Sequence, residues 1–171
     1  MPVDPRDRVL DAFERSLLVH GVQGSSFARI AAEGGFHRSL VQHHFKTRER
    51  LVAACLDRLV ERYLSRLSEV RAEDPSTSHL LDWLCSPHGP EGPPRQAKVV
   101  DAFVALANTD PAVAARLAPL YEAFVEALDL PRRTAFPCVA LSFGRAGLEV
   151  LGLPEATTGS AREACRCLAG A

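Results

Sequence analysis

Long hydrophobic runs are missing from this sequence, which argues against a membrane protein. No apolar stretch approaches the roughly 20 residues that a membrane-spanning helix needs. The first residues, MPVDPRDRVLDAF, are charged where a secretory signal would have its apolar stretch. We therefore expect a cytoplasmic protein. With 47% hydrophobic and 24% charged residues among 171, the chain can still bury a sizeable core.

Cysteine is present, but it lacks the spacing of a metal site or of a disulfide framework. The five cysteines are an odd number with no CxxC pair, which favours buried thiols in a reducing compartment. Cys165 and Cys167 are the exception, because near the C-terminus they are expected to be exposed. A thiol-based redox sensor is therefore an alternative, although residues two apart on a helix do not face each other.

Motifs of catalysis are missing as well. The sequence has no nucleophile elbow, no phosphate-binding loop and no paired carboxylates within an apolar run. His43 and His44 would point about 100° apart on a helix, so they are poorly placed to hold one ion. His79, Cys85 and His88 could converge on a metal, but no fourth ligand is evident. We expect a binding protein that is not an enzyme and has no metal or other cofactor.

A strong overall charge of one sign is missing too, since the formal net charge is −1. The charge is nevertheless uneven along the chain. Residues 1–71 contain 12 Lys and Arg against 9 Asp and Glu, whereas residues 72–171 contain 8 against 12. This asymmetry indicates one part that faces a polyanion and a second part with a different role.

Patterns of β-strands are nearly absent, and apolar residues recur three and four positions apart throughout the chain. The sequence therefore predicts an all-α protein of about nine helices. Capping residues and glycines place the first four, which begin at Asp4 or Pro5, at Ser25 or Ser26, near His37 and at Thr47. The others are predicted around 80–84 and at 95–108, 111–128, 131–152 and 159–169.

Prolines mark two special places in this pattern. Four prolines and two glycines at residues 86–95 predict a loop. Pro137 lies inside the predicted helix 131–152, so this helix should either start later or kink there.

Residues 26–45 predict a helix, a tight turn and a second helix. Gly34 and Gly35 allow the turn, because glycine accepts left-handed backbone conformations. On the second helix Leu40, Val41 and Phe45 are expected to point inward. The outward set is Arg38, Ser39, Gln42 and His43. This is the geometry of a helix-turn-helix, which lays its second helix in the major groove of DNA.

The outward set suits double-stranded DNA. Arg38 can donate two hydrogen bonds to guanine, and Gln42 can pair with adenine, each worth about 1 to 3 kcal/mol of discrimination. Ser39 and His43 are expected to touch bases or backbone. The predicted phosphate contacts are Ser26, Arg29, His44, Lys46, Thr47 and Arg48.

Residues 9–51 resemble the N-terminal DNA-binding domain of the TetR family of bacterial transcriptional regulators. The matching positions are Val9, Leu10, Ala12, Leu17, Gly21, Ser25, Ser26, Ile30, Ala31, Gly35, Phe36, His43, His44, Phe45, Thr47, Arg48, Glu49 and Leu51. At Gly34, His37, Gln42 and Arg48 the family usually has alanine, a serine-like cap, tyrosine and lysine. The resemblance therefore implies DNA binding but carries over no operator sequence.

The resemblance also implies a division of labour along the chain. It implies a helix-turn-helix DNA-binding domain at residues 1–46, followed by a helical effector-binding and dimerisation domain at residues 47–171. The last two helices of the family form a homodimer, and the preceding ones hold a small-molecule pocket. The expected dimer residues are Ala140, Leu141, Phe143, Gly144, Gly147, Leu148 and Leu151. The expected pocket residues, which a hydrophobic core would explain equally simply, are Leu80, Trp83, Leu84, Phe103, Leu106, Leu120, Tyr121 and Phe124.

The predicted function is that of a homodimeric repressor that binds a palindromic operator. An apolar or aromatic effector would release it from the operator. It would be found in the cytoplasm, and at the nucleoid when it is bound to DNA. The alternatives are the thiol-based sensor and a protein-binding dimer that has lost its affinity for DNA.

Overall fold

Helices are the regular secondary structure of the described residues. The computed structural model describes the backbone of residues 4–86, 94–150 and 158–170, and the side chains of residues 4–86, 98–144 and 161–170. Within these ranges the prediction of nine helices and no strand is confirmed. The helices are α1 (Pro5–Gly24), α2 (Phe27–Gly34), α3 (Arg38–Phe45), α4 (Arg48–Glu73), α5 (Thr77–Leu84), α6 (Pro94–Ala107), α7 (Pro111–Ala127), α8 (Arg132–Val150) and α9 (Thr158–Ala169).

The first helix begins at the predicted cap and is interrupted at the predicted glycine. The carboxylate of Asp4 accepts a hydrogen bond from the backbone nitrogen of Arg6 at 2.8 Å. Pro5 occupies the first turn, where its missing N–H is not needed. Gly21 has a φ of 64° and leaves the helical conformation. The regular part of α1 therefore stops there, before a last turn that reaches Gly24.

The fourth helix is the longest, with 26 residues, and one stripe of it is buried. Thr47 caps it, since its Oγ1 accepts a hydrogen bond from the backbone nitrogen of Arg50 at 3.3 Å. Val60, which has the helical spacing of this stripe, is only half-buried. The buried members of the stripe are Leu51, Val52, Cys55, Leu56, Leu59, Tyr63, Leu67 and Val70. Fully burying a large apolar side chain stabilises a fold by about 1.5–3 kcal/mol.

Two helices continue through prolines. Pro137 lies inside α8, which begins at Arg132, and Pro119 lies inside α7. Of the two alternatives expected at Pro137, a later start of the helix is therefore excluded. Each proline lacks an N–H, so the carbonyl four residues earlier loses its helical partner. The neighbouring side chains of Leu120 and Cys138 are fully buried, and this packing offsets the lost hydrogen bond.

The predicted loop at 86–95 ends two residues earlier than expected. Helix α6 already begins at Pro94, so residues 94 and 95 are helical. Proline is well suited to the first position of a helix, because that position has no intrahelical N–H bond to lose. Residues 87–93, with His88 among them, lie outside the described residues.

The chain divides into two compact units. The first contains residues 1–59 and 98–116, and the second contains residues 60–97 and 117–171. The helices α4, α6 and α7 each contribute to both units. The functional boundary expected between residues 46 and 47 stays a prediction. No helix of the described ranges is long and apolar enough to cross a membrane.

The first unit is held together by an apolar core and a cluster of charges. Phe13, Ile30 and Val41 are fully buried at its centre. At its edge the guanidinium of Arg58 on α4 donates hydrogen bonds to α1, to Asp11 at 2.8 Å and to Glu14 at 2.6 Å. These ion pairs outweigh the desolvation that burial imposes and raise the pKa of Arg58. The cluster therefore fixes α4 against α1.

The second unit has an aromatic core. The rings of Trp83 and Phe124 are stacked with centroids 6.0 Å apart. Phe143 packs against Phe124 at 5.4 Å and against Tyr121 at 4.9 Å. Such pairs contribute about 0.5–1.5 kcal/mol beyond the area that they bury. The cluster joins α5, α7 and α8.

Candidate DNA-binding surface

The turn between α2 and α3 depends on its two glycines. Gly35 caps α2 with a φ of 65°, a left-handed conformation that glycine adopts without strain. The backbone nitrogen of Phe36 then donates to the carbonyl of Ala31 at 3.1 Å. A Cβ added to Gly34 would overlap the ring of Phe36. Alanine, which the TetR family usually has here, would therefore require the ring of Phe36 to move.

The inner face of α3 is anchored in the first unit. Val41 is fully buried and Phe45 is 3% exposed, as their helical spacing predicts. The guanidinium of Arg6 lies over the ring of Phe45, 5.5 Å from its centroid. Leu40, the third expected anchor, is only half-buried. Two anchors one turn apart are enough to fix which side of this short helix faces outward.

The outer face of α3 is polar. Arg38, Ser39, Gln42 and His43 are all exposed. Arg38 and Gln42 are four positions apart, and so are Ser39 and His43, so the four side chains lie on one side of the helix in two neighbouring rows. Their contact with DNA stays a prediction, and their common exposure is the arrangement that this prediction needs.

The sequence places His37 where the TetR family usually has a serine-like cap, but it did not indicate that the histidine itself caps α3. His37 is the N-cap residue, and its Nδ1 accepts a hydrogen bond from the backbone nitrogen of Ser39 at 3.3 Å. The same Nδ1 lies 2.8 Å from the Oγ of Ser39. Histidine is not among the preferred N-cap residues, so the only signal was its position directly before the helix. His37 thus replaces a serine-like cap and also contacts an outward-facing side chain.

The segment that follows α3 joins the recognition helix to α4. Lys46 is exposed and has a φ of 50°, which is unusual for a residue with a side chain. Its backbone nitrogen donates to the carbonyl of Gln42 at 3.0 Å. His44 is half-buried, and its ring lies edge-on to that of His43 at 5.1 Å. Lys46 therefore projects from the turn, whereas His44 is partly covered.

Two of the predicted phosphate-binding arginines are engaged with the end of α1. Arg29 donates to the carbonyl of Gly24 at 2.8 Å. The half-buried Arg48 donates to the carbonyls of Val22 and Gln23. These contacts satisfy carbonyls at a helix end. They use two of the five N–H donors of the Arg48 guanidinium, so a phosphate contact of Arg48 would have to use the others.

The cap of α4 also shapes the local charge. Two predicted phosphate contacts, Ser26 and Thr47, are exposed N-cap residues of α2 and α4. Ser26 accepts a hydrogen bond from the backbone nitrogen of Arg29 at 3.3 Å. Glu49 lies in the first turn of α4. A backbone hydrogen bond, a hydrogen bond from Thr47 and the charge of Arg48 lower the pKa of Glu49. This carboxylate therefore stays ionised beside the basic residues.

The sequence is similar to a known helix-turn-helix regulator over part of its length. No protein-family model matches the sequence. Over 69 residues the chain is 28% identical to the HTH-type transcriptional regulator PksA of Bacillus subtilis (strain 168), and this match covers 40% of the chain. It spans only 34% of the length of that relative.

Solved structures match nearly the whole chain. A transcriptional regulator from Rhodococcus sp. Rha1 is 28% identical with a TM-score of 0.76, over 98% of this chain and 95% of that one. A TetR transcription regulator from Haloarcula marismortui ATCC 43049 is 23% identical with a TM-score of 0.81, over 98% and 97%. The multidrug binding protein EbrR in complex with malachite green is 24% identical with a TM-score of 0.75, over 98% and 99%.

The chain has the TetR fold. The resemblance that residues 9–51 indicate is thereby confirmed, and the likeness extends along nearly the whole chain. In this fold α2 and α3 form the helix-turn-helix described above, and the remaining helices contain the residues predicted for effector binding and dimerisation.

Within the TetR fold, the predicted effector residues lie in both compact units. Phe103 and Leu106 belong to the first unit, and the other six belong to the second. Leu80, Leu84, Phe103, Leu120 and Phe124 are fully buried. Trp83, Leu106 and Tyr121 are half-buried. A common pocket for all eight stays a prediction.

A cleft of about 380 Å³ lies in the first unit. It is bordered by the end of α1, the start of α4 and the residues around the turn from α6 to α7. Of the predicted effector residues it includes Leu106. The lining residues are Val22, Gln23, Arg48, Glu49, Val52, Ala53, Leu106, Asp110, Ala112, Val113 and Arg116. The cleft therefore lies next to the carbonyls that Arg48 binds.

The predicted dimer residues on α8 are divided between its two faces. Ala140, Leu141 and Gly144 are exposed, and nothing lies within 4 Å of a Cβ built on Gly144. Phe143 is only 8% exposed and packs on the aromatic core. Its place in the dimer interface stays a prediction, although its ring is already largely covered within one chain. The burial of Gly147 and Leu148 is not described, and Leu151 lies outside the described residues.

The outer face of α8 includes a residue that sequence reasoning missed. Phe136 is 54% exposed and lies one turn before Ala140. Leu141 on α8 and Leu168 on α9 are also exposed, at 40% and 46%. The periodicity did reveal an apolar helix here, but it could not show which of its faces is covered. Two large apolar side chains of α8 and one of α9 are therefore exposed.

Both C-terminal cysteines were expected to be exposed, and for Cys165 this expectation is wrong. Cys165 is buried, whereas Cys167 is exposed. The Sγ of Cys165 lies 3.7 Å from the Sγ of Cys85, 80 positions earlier in the chain. This hydrogen bond and burial raise the pKa of the Cys165 thiol, and burial raises that of Cys138. Among the side chains that the structure describes, no group of three or more metal-ligating residues is placed to hold an ion.

Proposed function

We propose that the protein is a homodimeric transcriptional regulator that binds a roughly palindromic DNA site. One α3 helix of each protomer would enter a major groove. The observation that carries the proposal is the division of α3, whose inner residues Val41 and Phe45 are buried while its whole outer face is polar and exposed. A helix held in this way offers side chains to base edges without losing its own packing.

Base contacts would come from the two rows on α3. Arg38 would donate two hydrogen bonds to the O6 and N7 of guanine, and Gln42 would pair with the N6 and N7 of adenine. Ser39 and His43 would touch neighbouring bases or the backbone. The support is that all four side chains are exposed on one side of the helix.

The proposed phosphate contacts lie around the exposed face of α3. Lys46 and Thr47 are exposed next to the end of α3, and the positive end of the α4 helix dipole suits an anion. Ser26 and Arg29 lie at the start of α2, and His44 and Arg48 are half-buried neighbours. These contacts supply affinity that does not depend on sequence.

Dimerisation would use the exposed apolar side chains of α8 and α9. Phe136, Leu141 and Leu168 keep large apolar areas in water in the single chain, and such surfaces usually mark interaction sites. The open space around Gly144 would let a partner helix approach closely. Two-fold symmetry would place the half-site centres about 35 Å apart.

Repression would be relieved by a small apolar or aromatic molecule. A protein of the same fold, the multidrug binding protein EbrR, has been solved with malachite green. In this chain the half-buried rings of Trp83 and Tyr121 border the aromatic core. An effector could shift the protein away from its DNA-binding state only by the difference in its affinity for the two states.

The test is binding to duplexes selected from a random pool. We expect the parent protein to enrich a palindromic sequence. Arg38→Ala should lose discrimination at one base pair of each half-site, by about 1–3 kcal/mol, and should keep most of its non-specific affinity. Gln23→Ala, at an exposed position outside α3, is the matched control. A parent protein that enriches no sequence would leave a protein-binding dimer as the better description.

A thiol-based switch is the second candidate. The observation that favours it is the 3.7 Å approach of the Cys85 and Cys165 sulfur atoms. Burial and the raised pKa of Cys165 act against it, because the thiolate is the reactive form. DNA affinity measured with and without hydrogen peroxide, in the parent and in Cys85→Ser, separates the two candidates.

A further inference from the structure

The ring of His37 holds the hydroxyl group of Ser39 at the start of the outer face of α3. Its Nδ1 lies 3.3 Å from the backbone nitrogen of Ser39 and 2.8 Å from the Oγ. Both side chains are exposed, so nothing buried forces them together. Two groups of one residue thus contact a single ring nitrogen, and this arrangement determines which atoms carry the hydrogens.

The backbone contact decides the tautomer of His37. A backbone N–H is always a donor, so Nδ1 has to accept and carries no proton. The proton of the neutral ring is therefore on Nε2. Since Nδ1 has no hydrogen to give, the 2.8 Å contact requires the hydroxyl of Ser39 to donate to it. The Oγ of Ser39 then has only acceptor lone pairs left for other partners.

We propose that His37 is a positioning residue that makes Ser39 an acceptor-only reader of a base edge. This inference rests on the proposed function of α3 as the recognition helix. In the major groove the donors are the N6 amino group of adenine and the N4 amino group of cytosine, whereas guanine N7 and O6 and thymine O4 accept. An unconstrained serine can rotate to suit either kind of partner. With His37 in place, Ser39 favours adenine or cytosine at the base that it faces.

A capping role alone does not explain the histidine. Serine, asparagine and aspartate are better N-cap residues than histidine, and any of them would satisfy the same backbone nitrogen. What the imidazole adds is the second contact, to the Oγ of Ser39. His37→Ser is therefore the discriminating variant, because it keeps a good cap and removes the ring.

The experiment uses the full-length protein and duplexes selected by it from a random pool. The base pair that Ser39 contacts is identified as the one whose preference Ser39→Ala abolishes. At that base pair we expect the parent to prefer adenine or cytosine over guanine and thymine by about two- to tenfold, the effect of one neutral hydrogen bond. His37→Ser should reduce this preference to less than about twofold, with a melting temperature no lower than that of the parent.

A double variant provides the internal control. His37→Ser combined with Ser39→Ala should show the same base preference as Ser39→Ala alone, because the ring acts only through the hydroxyl. Retention of the full preference by His37→Ser would overturn the proposal. A parental preference for guanine or thymine at that base pair would do the same, and so would a Ser39→Ala variant that changes no preference.

A measurement without DNA keeps this test separate from the proposed function. Long-range proton–nitrogen NMR of the His37 ring reports which nitrogen carries the proton. We expect the neutral ring to be protonated on Nε2, and a ring protonated on Nδ1 would refute the proposal whatever the DNA experiment shows. A parent that selects no sequence, together with the expected tautomer, would instead count against the proposed function.

Discussion

Helices α3 and α8 are both packed through one face, but their exposed faces differ in chemistry. Each buries one face: Val41 and Phe45 in α3, and Cys138 with Phe143 in α8. The exposed face of α3 consists of arginine, serine, glutamine and histidine. Between residues 134 and 144 of α8, the exposed residues are Phe136, Ala140, Leu141 and Gly144.

This difference shows what burial alone can and cannot tell about a helix. In both helices the inner face only anchors the element, and the outer face indicates the partner. A polar face with arginine and glutamine suits base edges and phosphates. An apolar face with small residues suits another helix at close range. The predictions below test the two faces, beginning with the largest expected effect.

The two faces of α8 should respond differently to truncation. Phe143→Ala should lower the free energy of unfolding by about 3–5 kcal/mol, because it removes a ring packed against Phe124 and Tyr121. Leu141 lies on the opposite, exposed face of α8 and is 40% exposed. Leu141→Ala should cost less than about 1 kcal/mol in the same urea titration. Both titrations need the same protein concentration, since dimerisation contributes to stability. Equal losses would mean that α8 does not have an inner and an outer face as described.

A charge on the outer face of α8 should prevent dimerisation. Ala140→Arg would bury an unpaired guanidinium in the interface, at a cost of about 3 kcal/mol or more, which is more than a hundredfold in the dimer dissociation constant. Sedimentation velocity should then show a monomer. Ala72→Arg, which introduces the same side chain at an exposed position of α4, should leave association unchanged. A dimer that survives Ala140→Arg would move the interface away from this face.

Next to the polar face of α3, Lys46 should contribute equally to the affinity for every DNA sequence. Lys46→Ala should weaken every duplex by a similar factor and reduce the slope of log affinity against log salt by about one unit, as expected for one lost phosphate contact. The exposed Lys98 on α6 provides the control variant Lys98→Ala. An unchanged slope in Lys46→Ala would remove this residue from the phosphate set.

The smallest effect concerns Glu49 at the start of α4. Its pKa is lowered below the ordinary value of 4.5 by hydrogen bonds from the backbone and from Thr47. A depressed folded-state pKa adds stability above the pKa of the unfolded chain, and this contribution is lost as the pH falls through the folded value. Parent and Glu49→Gln should therefore differ in melting temperature at pH 7 and converge once the pH falls below the lowered pKa of Glu49.

Glu61→Gln, at another exposed glutamate of α4, is the control for that measurement. If the difference between parent and Glu49→Gln grows on acidification, the carboxylate does not stabilise the start of α4. The hydrogen bond from Thr47 to Glu49 would then contribute nothing to stability.

Much of the fold follows from local rules that the sequence displays. Ser26 and Gly35 delimit α2 because a hydroxyl satisfies a helical N–H and glycine accepts a positive φ. The outward residues of α3 follow from the spacing of Val41 and Phe45. Pro119 and Pro137 show the limit of such rules, since both lie inside helices. There the packing of neighbouring side chains outweighs the local preference.

Other features of the site depend on residues that are distant in the chain or on individual side-chain geometry. Arg48 binds carbonyls about 25 positions earlier, and Cys165 meets Cys85. Periodicity contains no information about such pairs. The capping hydrogen bond of His37 could not be predicted for a different reason, because histidine has no strong preference for the N-cap position.

By itself, the sequence determined that the chain is helical, where its first helices begin, and that α3 turns an arginine, a serine, a glutamine and a histidine outward. These properties depend on neighbours within four residues, whose relative positions the helix geometry sets. Only the tertiary structure decided that the ring of Phe143 is covered while Phe136 is not, and that Arg48 binds the end of α1. Both are questions of which surfaces meet, and contact between distant segments depends on the packing of the whole unit.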